Sequence, residues 1–254
     1  MPGTQRNGLL ALGGIALAAV LAVIGHVVVN DDLDPWSLTV SDFAVSDRGG
    51  VIDVAMALLA AATAVLIPAL WRTGSGSEPG GSRPGGDGRA RSGRTRRRLR
   101  VAGVLLAAWT AGLVTAAVVP TNEPGLPMDT AAYLHRYASV VAFLALPVAG
   151  WLLAGHLGGR TAGWLRALTL ASLLLAGAMV WSAYPGDRLL LGLAERLLIV
   201  TEVTLLAVLA SSLILTGRSW SRGSTQSACI TTDRAPQLHD RRVTGGGVTP
   251  VRGA

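Results

Sequence analysis

Lysine is absent from the chain, cysteine occurs once, and phenylalanine and tyrosine number two and three in 254 residues. All 22 basic residues are therefore arginine, a usage that reflects a GC-rich genome rather than a physical demand. The lone Cys229 excludes a disulfide framework and any cysteine-based zinc or iron–sulfur site within one chain. Charge is scarce as well. Charged residues make up 15% of the chain, against about 25% in a soluble domain. That deficit, with half of the residues hydrophobic, argues against both an ordinary soluble enzyme and a disordered chain. No HExxH, GxSxG or Walker A pattern is present.

What the chain has instead is six long apolar runs, at about 9–29, 51–71, 101–119, 137–156, 164–181 and 197–215. Each is long enough, at about 1.5 Å per residue, to cross a hydrocarbon core of about 30 Å. Strands of a membrane barrel would be half as long and would alternate, so a barrel is excluded. The expected fold is all-α, an integral membrane bundle of six transmembrane helices within residues 1–216. The first run follows Arg6 and resembles a secretory signal, but it is longer than a signal core and five more spans follow. It reads as an uncleaved first helix.

The net charge of +7 would suggest nucleic acid in a soluble protein. Here the arginines concentrate in 72–100 and 218–252, between and after apolar runs. They read as topology signals, and no nucleic-acid partner is expected. With the N-terminus in the cytoplasm, eighteen arginines fall inside and four outside. The expectation is a plasma-membrane protein with both termini cytoplasmic. The Gly/Ser/Pro/Arg-rich stretch 72–100 reads as a flexible loop near anionic headgroups, and 217–254 as a disordered tail.

The first outer loop carries Asp31, Asp32, Asp34, Asp42 and Asp47 against Arg48. Trp36, Leu38, Val40 and Phe43 interleave with them, which suits a short cap over the bundle. Asp31, Asp32 and Asp34 do not match the spacing of a calcium loop.

Several polar residues fall at one outer level. Among them are His26, Asp53, His135, Arg136, Glu195, Arg196 and Glu202, the last about 8 Å below the outer boundary at helical rise. An ionised carboxylate within a span costs about 2.5–3.5 kcal/mol, so Glu202 must be neutral, paired or hydrated. Glu195 and Glu202 are seven apart and share a helix face, expected to turn inward. Together these residues outline a polar pocket in the outer leaflet that could hold a lipid or small amphiphile. Structural readings stand beside this one. Asp129 is placed to cap the fourth span, Asp53 could cap the second, His135–Arg136 could sit at headgroup level, and Glu195–Arg196 could form an interfacial ion pair.

Two alternatives remain at this stage. His26, Asp53, His135 and Glu202 could line a membrane-embedded hydrolase of lipid-linked substrates. Glu202 could instead serve a proton-coupled carrier, for which six spans are few, so that a homo-oligomer would help. Whether the chain is an enzyme stays open. A bis-histidine haem between His26 and His135 lacks a supporting motif. No cofactor and no metal are expected; membrane lipids are the expected partners.

The segment VVPTNEPGLPMDTAAYLHRYASVVAFLALP at 118–147 carries a Pro120-Thr121-Asn122 turn and then His135 at the head of a helix. It resembles the corresponding segment of the domain-of-unknown-function 998 family of multi-pass bacterial and archaeal membrane proteins. Gly192 and Arg196 are similarly placed to that family's entry into its last helix. Asn122 stands where the family more usually has an acidic residue. The resemblance implies the multi-pass fold and brings no activity with it.

Overall fold

The computed structural model describes residues 3–29, 33–45, 50–75, 86–122 and 126–232, with side chains for 3–29, 33–45, 50–72, 93–122 and 126–215. The described residues fold into α1 (Gly3–Ile24), whose end widens into a π-turn over Gly25–Val29, a short α2 (Val40–Val45), then α3 (Gly50–Ser75), α4 (Gly86–Val118), α5 (Thr130–Leu157), α6 (Gly159–Ala183) and α7 (Leu191–Thr232). Six of these elements, all but α2, contain stretches long and apolar enough to span a bilayer: Gly3–Val29, Gly50–Arg72, Gly93–Val118, Thr130–Leu157, Gly159–Ala183 and Leu191–Leu215. The protein is a multi-pass membrane protein.

The helices extend past the apolar runs because hydropathy marks the hydrocarbon slab, whereas a helix ends where its backbone is capped. Asp129 shows the difference. Its Oδ1 accepts from the Ala132 amide at 2.8 Å, so α5 starts at Thr130, seven residues before the apolar run. At the far end, Gly158 and Gly159 take φ values of 66° and 57° and turn the chain directly into α6. A side chain at these left-handed positions would be strained.

Two expectations are corrected here. Residues 86–100, read as part of a flexible loop, belong to α4, and residues 217–232, read as disordered tail, belong to α7. Arginine, frequent in 86–100, is a good helix former, and extending a helix already fixed by packing costs little compared with starting one, which also applies to the Ser/Thr-rich 217–232. Residues 76–85 and 233–254, including the rest of that loop and tail, lie outside the described residues, as do Asp31, Asp32, Asp47 and Arg48. By contacts, Met1–Arg218 forms one unit, which holds the bundle, and Ser219–Ala254 another.

Within the bundle, α1 packs on α3, α3 on α4, α4 on α5 and α5 on α6. The spanning part of α7 is the most enclosed of the six; those of α1 and α6 are the least. Leu205, Leu206, Leu209 and Ala210 of α7 are fully buried in one core with Leu66, Leu106, Leu146 and Leu165. Gly8 of α1 lies against Ala210 and Ile214, and Gly150 of α5 against Leu205. Apolar side chains of α1 and α6, such as Leu17, Val20, Leu174 and Trp181, face outward. Pro68 and Pro147 interrupt the ladders of α3 and α5. Asn7 donates to Val65 O at 3.1 Å and Thr169 to Pro147 O at 3.2 Å, bringing side-chain donors to those regions.

Candidate functional site

The cap expected from the first outer loop is α2, and its sequence dictates its start. Thr39 Oγ1 accepts from the Asp42 amide at 3.2 Å, and Asp42 Oδ2 accepts from the Thr39 amide at 2.7 Å. This reciprocal capping box fixes the first turn. Before it, Asp34 closes a tight turn, accepting from the Trp36 amide at 3.1 Å and the Ser37 hydroxyl at 2.5 Å. These two bonds, the hydroxyl first, hold the exposed Asp34 carboxyl below its ordinary value.

The cap is seated on the head of α7. The Trp36 carbonyl accepts from the Gly192 and Leu193 amides at 3.0 and 3.2 Å, taking up two donors that the helix start leaves open. Glu195 Oε2 accepts from the Val40 amide at 2.6 Å. Arg196 Nη1 donates to the carbonyls of Pro35, Leu38 and Gly192 at 2.8, 2.8 and 3.0 Å. Glu195 and Arg196 thus each bind the cap's backbone rather than each other. From the side, Arg188 Nη2 reaches Asp42 Oδ2 at 3.4 Å. It projects from a turn in which Asp187, Arg188 and Leu190 all hold positive φ.

Phe43 is the centre of this arrangement. It is buried, its ring stacks on His26 with centroids 4.9 Å apart, and the Arg196 guanidinium carbon lies 4.6 Å from its centroid. The π-turn that carries His26 belongs to a class of helix irregularity frequent at functional sites. His26 Nδ1 lies 2.7 Å from Ala22 O and so carries its proton there, leaving Nε2 as an acceptor. That Nε2, and Arg196 Nε and Nη2, are buried without a hydrogen-bond partner among the described residues.

His135 joins the cap from α5. Its Nδ1 lies 2.9 Å from Val119 O and its Nε2 2.9 Å from Ser41 Oγ. With Nδ1 donating to the carbonyl, Nε2 accepts from the serine hydroxyl. Asp53, half-buried in the first turn of α3, lies near His135. Arg136 is not part of the group: one residue on, it is turned about 100° around the helix and is exposed. Glu202 stands apart too, deeper on α7, with Oε2 accepting from Trp109 Nε1 at 3.3 Å and Oε1 buried without a partner.

The structure therefore brings His26 and Arg196 together on Phe43, ties Glu195 to Val40 and His135 to Ser41 of the same cap, sets Asp53 near His135, and separates Arg136 and Glu202. His26, Asp53, His135 and Glu202 do not form one metal layer. Among the described residues no three His, Cys, Asp or Glu side chains are grouped to hold a metal ion. Sequence reading missed Ser41, Trp109 and the contact of Arg188 with Asp42. A signal existed for one of them: Trp109 is a donor-bearing aromatic at mid-span, which a buried indole must match with an acceptor.

Residues 86–212 match a family described as "Protein of unknown function (DUF998)". The chain belongs to the DUF998 family. The matched region runs from the start of α4 into α7 and contains Trp109, His135, Glu195, Arg196 and Glu202. The family's description carries no activity, so the chemistry has to be argued from these side chains. No curated protein and no solved structure matches the chain.

Proposed function

We propose that this DUF998 protein sits in a bacterial plasma membrane with both termini cytoplasmic, and that it binds the oxyanion of a lipid headgroup or small amphiphile beneath the α2 cap at its outer end. The orientation rests on the eighteen arginines that then fall inside, against four outside.

The observation that carries the binding proposal is the unpartnered edge of Arg196. Its Nη1 is occupied by the Pro35 and Leu38 carbonyls of the cap and by the Gly192 carbonyl of α7, while Nε and Nη2, which point the same way as one fork, are buried with no acceptor among the described residues. That fork matches a carboxylate or phosphate through two parallel hydrogen bonds. Phe43 beside it supplies an apolar wall. Glu195, Asp34 and Asp42 are near enough to offset the guanidinium charge, yet none is hydrogen-bonded to the fork. Membrane lipids are the partners this reading requires, and it needs no cofactor. The hydrolase alternative draws no support from the placement of His135, both of whose ring nitrogens are engaged, or of Glu202, which lies with Trp109.

Native mass spectrometry of the full chain, released gently from its own membrane, tests the proposal. The wild type should retain one lipid-sized mass per chain. Arg196→Gln should lose it, while His26→Phe, which keeps the stacking on Phe43, should retain it more weakly. A bare wild-type protein, or full retention in Arg196→Gln, would refute the headgroup site. The same spectra report whether the chain is a homo-oligomer.

A further inference from the structure

Glu202 is the only carboxylate, guanidinium or imidazole in the interior of the six spans. The stretches 7–24 of α1, 54–71 of α3, 101–118 of α4, 137–155 of α5 and 167–183 of α6 contain no Asp, Glu, Arg or His, and 203–215 of α7 adds none. His26 and Asp53 stand at the outer end of their spans, and His135 is in the second turn of α5. Glu195 lies about 10 Å above Glu202 along its own helix, at helical rise.

The surroundings of Glu202 are enclosed and largely apolar. It is 3% exposed, and its helix neighbours Leu198, Leu205 and Leu206 are fully buried. From α4, the equally enclosed Trp109 donates its indole N–H to Oε2. Among the described residues no basic group contacts either oxygen, and Oε1 is buried without a hydrogen-bond partner. A bare carboxylate would have one hydrogen bond and no counter-charge in this place. A carboxylic acid fits the contacts: Oε2 is the carbonyl that accepts from Trp109, and Oε1 is the hydroxyl. A metal cation is a poorer match, because one carboxylate and an indole N–H offer too few oxygen ligands.

We propose that Glu202 is a reversible proton-binding site inside the membrane, and that the described bundle is its proton-loaded form. The proton sits on Oε1 and leaves or returns only when water or a moving side chain reaches that atom. Since Oε1 is enclosed by α7 and its neighbours, proton exchange is tied to a displacement of α7. The site is independent of the headgroup fork, from which it is separated along α7, and its test does not involve lipid.

Infrared difference spectroscopy on the full chain in lipid nanodiscs reads this directly, because the C=O stretch of a carboxylic acid is resolved from carboxylate bands. A band should be present at neutral pH, diminish as pH is raised, and disappear in Glu202→Gln while persisting in Glu195→Gln. Trp109→Phe removes the donor to the carbonyl, so the same band should remain and move to higher frequency. The Trp109→Phe shift keeps the assignment testable even where Glu202→Gln does not fold. The proposal is overturned if no such band exists at neutral pH, if Glu202→Gln leaves it in place, or if it moves nowhere in Trp109→Phe. A band that stays constant over the whole pH range in which the bundle is folded overturns it as well, since that marks a fixed neutral group.

Discussion

The Glu195 carboxylate accepts from the Val40 amide at 2.6 Å across 155 residues of sequence. An acidic residue near the head of the last span thereby supplies the acceptor for the first amide of α2. Removing it leaves that amide unpaired next to a buried core. Glu195→Ala should therefore destabilise the cap by about 1–3 kcal/mol, while Glu195→Gln, which keeps an acceptor oxygen, should cost less. Limited proteolysis of residues 33–45 in detergent, followed against thermal unfolding of the bundle, measures both. Equal resistance in Glu195→Ala and wild type would show that the bond does not hold the cap.

Gly192 admits the cap to α7. A Cβ there would run into the Leu38 carbonyl and stand 2.7 Å from Pro35 O. Both obstacles are backbone, which cannot rotate away. Gly192→Ala should displace the Pro35–Leu38 turn, break the Arg196 bonds to it, and increase hydrogen exchange at the Gly192 and Leu193 amides. Wild-type exchange in Gly192→Ala would count against the close approach.

The proposed orientation makes a labelling prediction. In a Cys229→Ser background, a cysteine placed at the exposed Trp36 should react with a membrane-impermeant maleimide on intact cells. One placed at Arg94 should react only after the cells are opened. The reverse pattern would invert the topology and move the Arg196 fork to the cytoplasmic side.

Asp34 sets an acid limit on the turn that leads into the cap. Its carboxyl is held below the ordinary value by the Ser37 hydroxyl and then the Trp36 amide. A carboxyl depressed by folding stabilises the folded turn above its unfolded value, and that contribution fades as pH falls through the folded value. The Trp36 amide should therefore stay protected at neutral pH and lose protection in acid below the usual carboxylate range, after correction for the intrinsic exchange rate. Asp34→Asn should abolish that acid dependence. An unchanged acid profile in Asp34→Asn would place the sensitive group elsewhere.

The sequence was most readable where one chemical demand dominates. Crossing hydrocarbon requires long apolar helices, so the spans could be read directly, and Asp129 announced the start of α5 because capping is a local event. The cap was legible in part: Val40 and Phe43 interleave with acidic residues, and Thr39-Val40-Ser41-Asp42 spells a capping box. The meeting of Phe43 with His26 and Arg196 was not legible, since it joins three separate parts of the chain and leaves no periodic trace in any of them. Arg136 illustrates a different limit. Depth along a helix can be counted from the sequence, but His135 and Arg136 share a depth and differ in facing, which only neighbouring helices decide. Glu195 and Arg196, adjacent and opposite in charge, invited an ion-pair reading; the cap's backbone offered each a better-placed partner.

The seating of the cap has a consequence for how the protein is made. Residues 33–45 leave the ribosome long before Gly192, Glu195 and Arg196 exist. At a synthesis rate of about 5–20 residues per second, the Val40 amide waits on the order of 10–30 s for its acceptor. Until the last helix inserts, the loop carrying Phe43 has no seat on α7, and in the proposed orientation a nascent chain stalled before α7 would expose it to proteases on the far side of the membrane. Closure of the cap is thus a late event in biogenesis, and protection of this early segment reports that insertion of the final span has been completed.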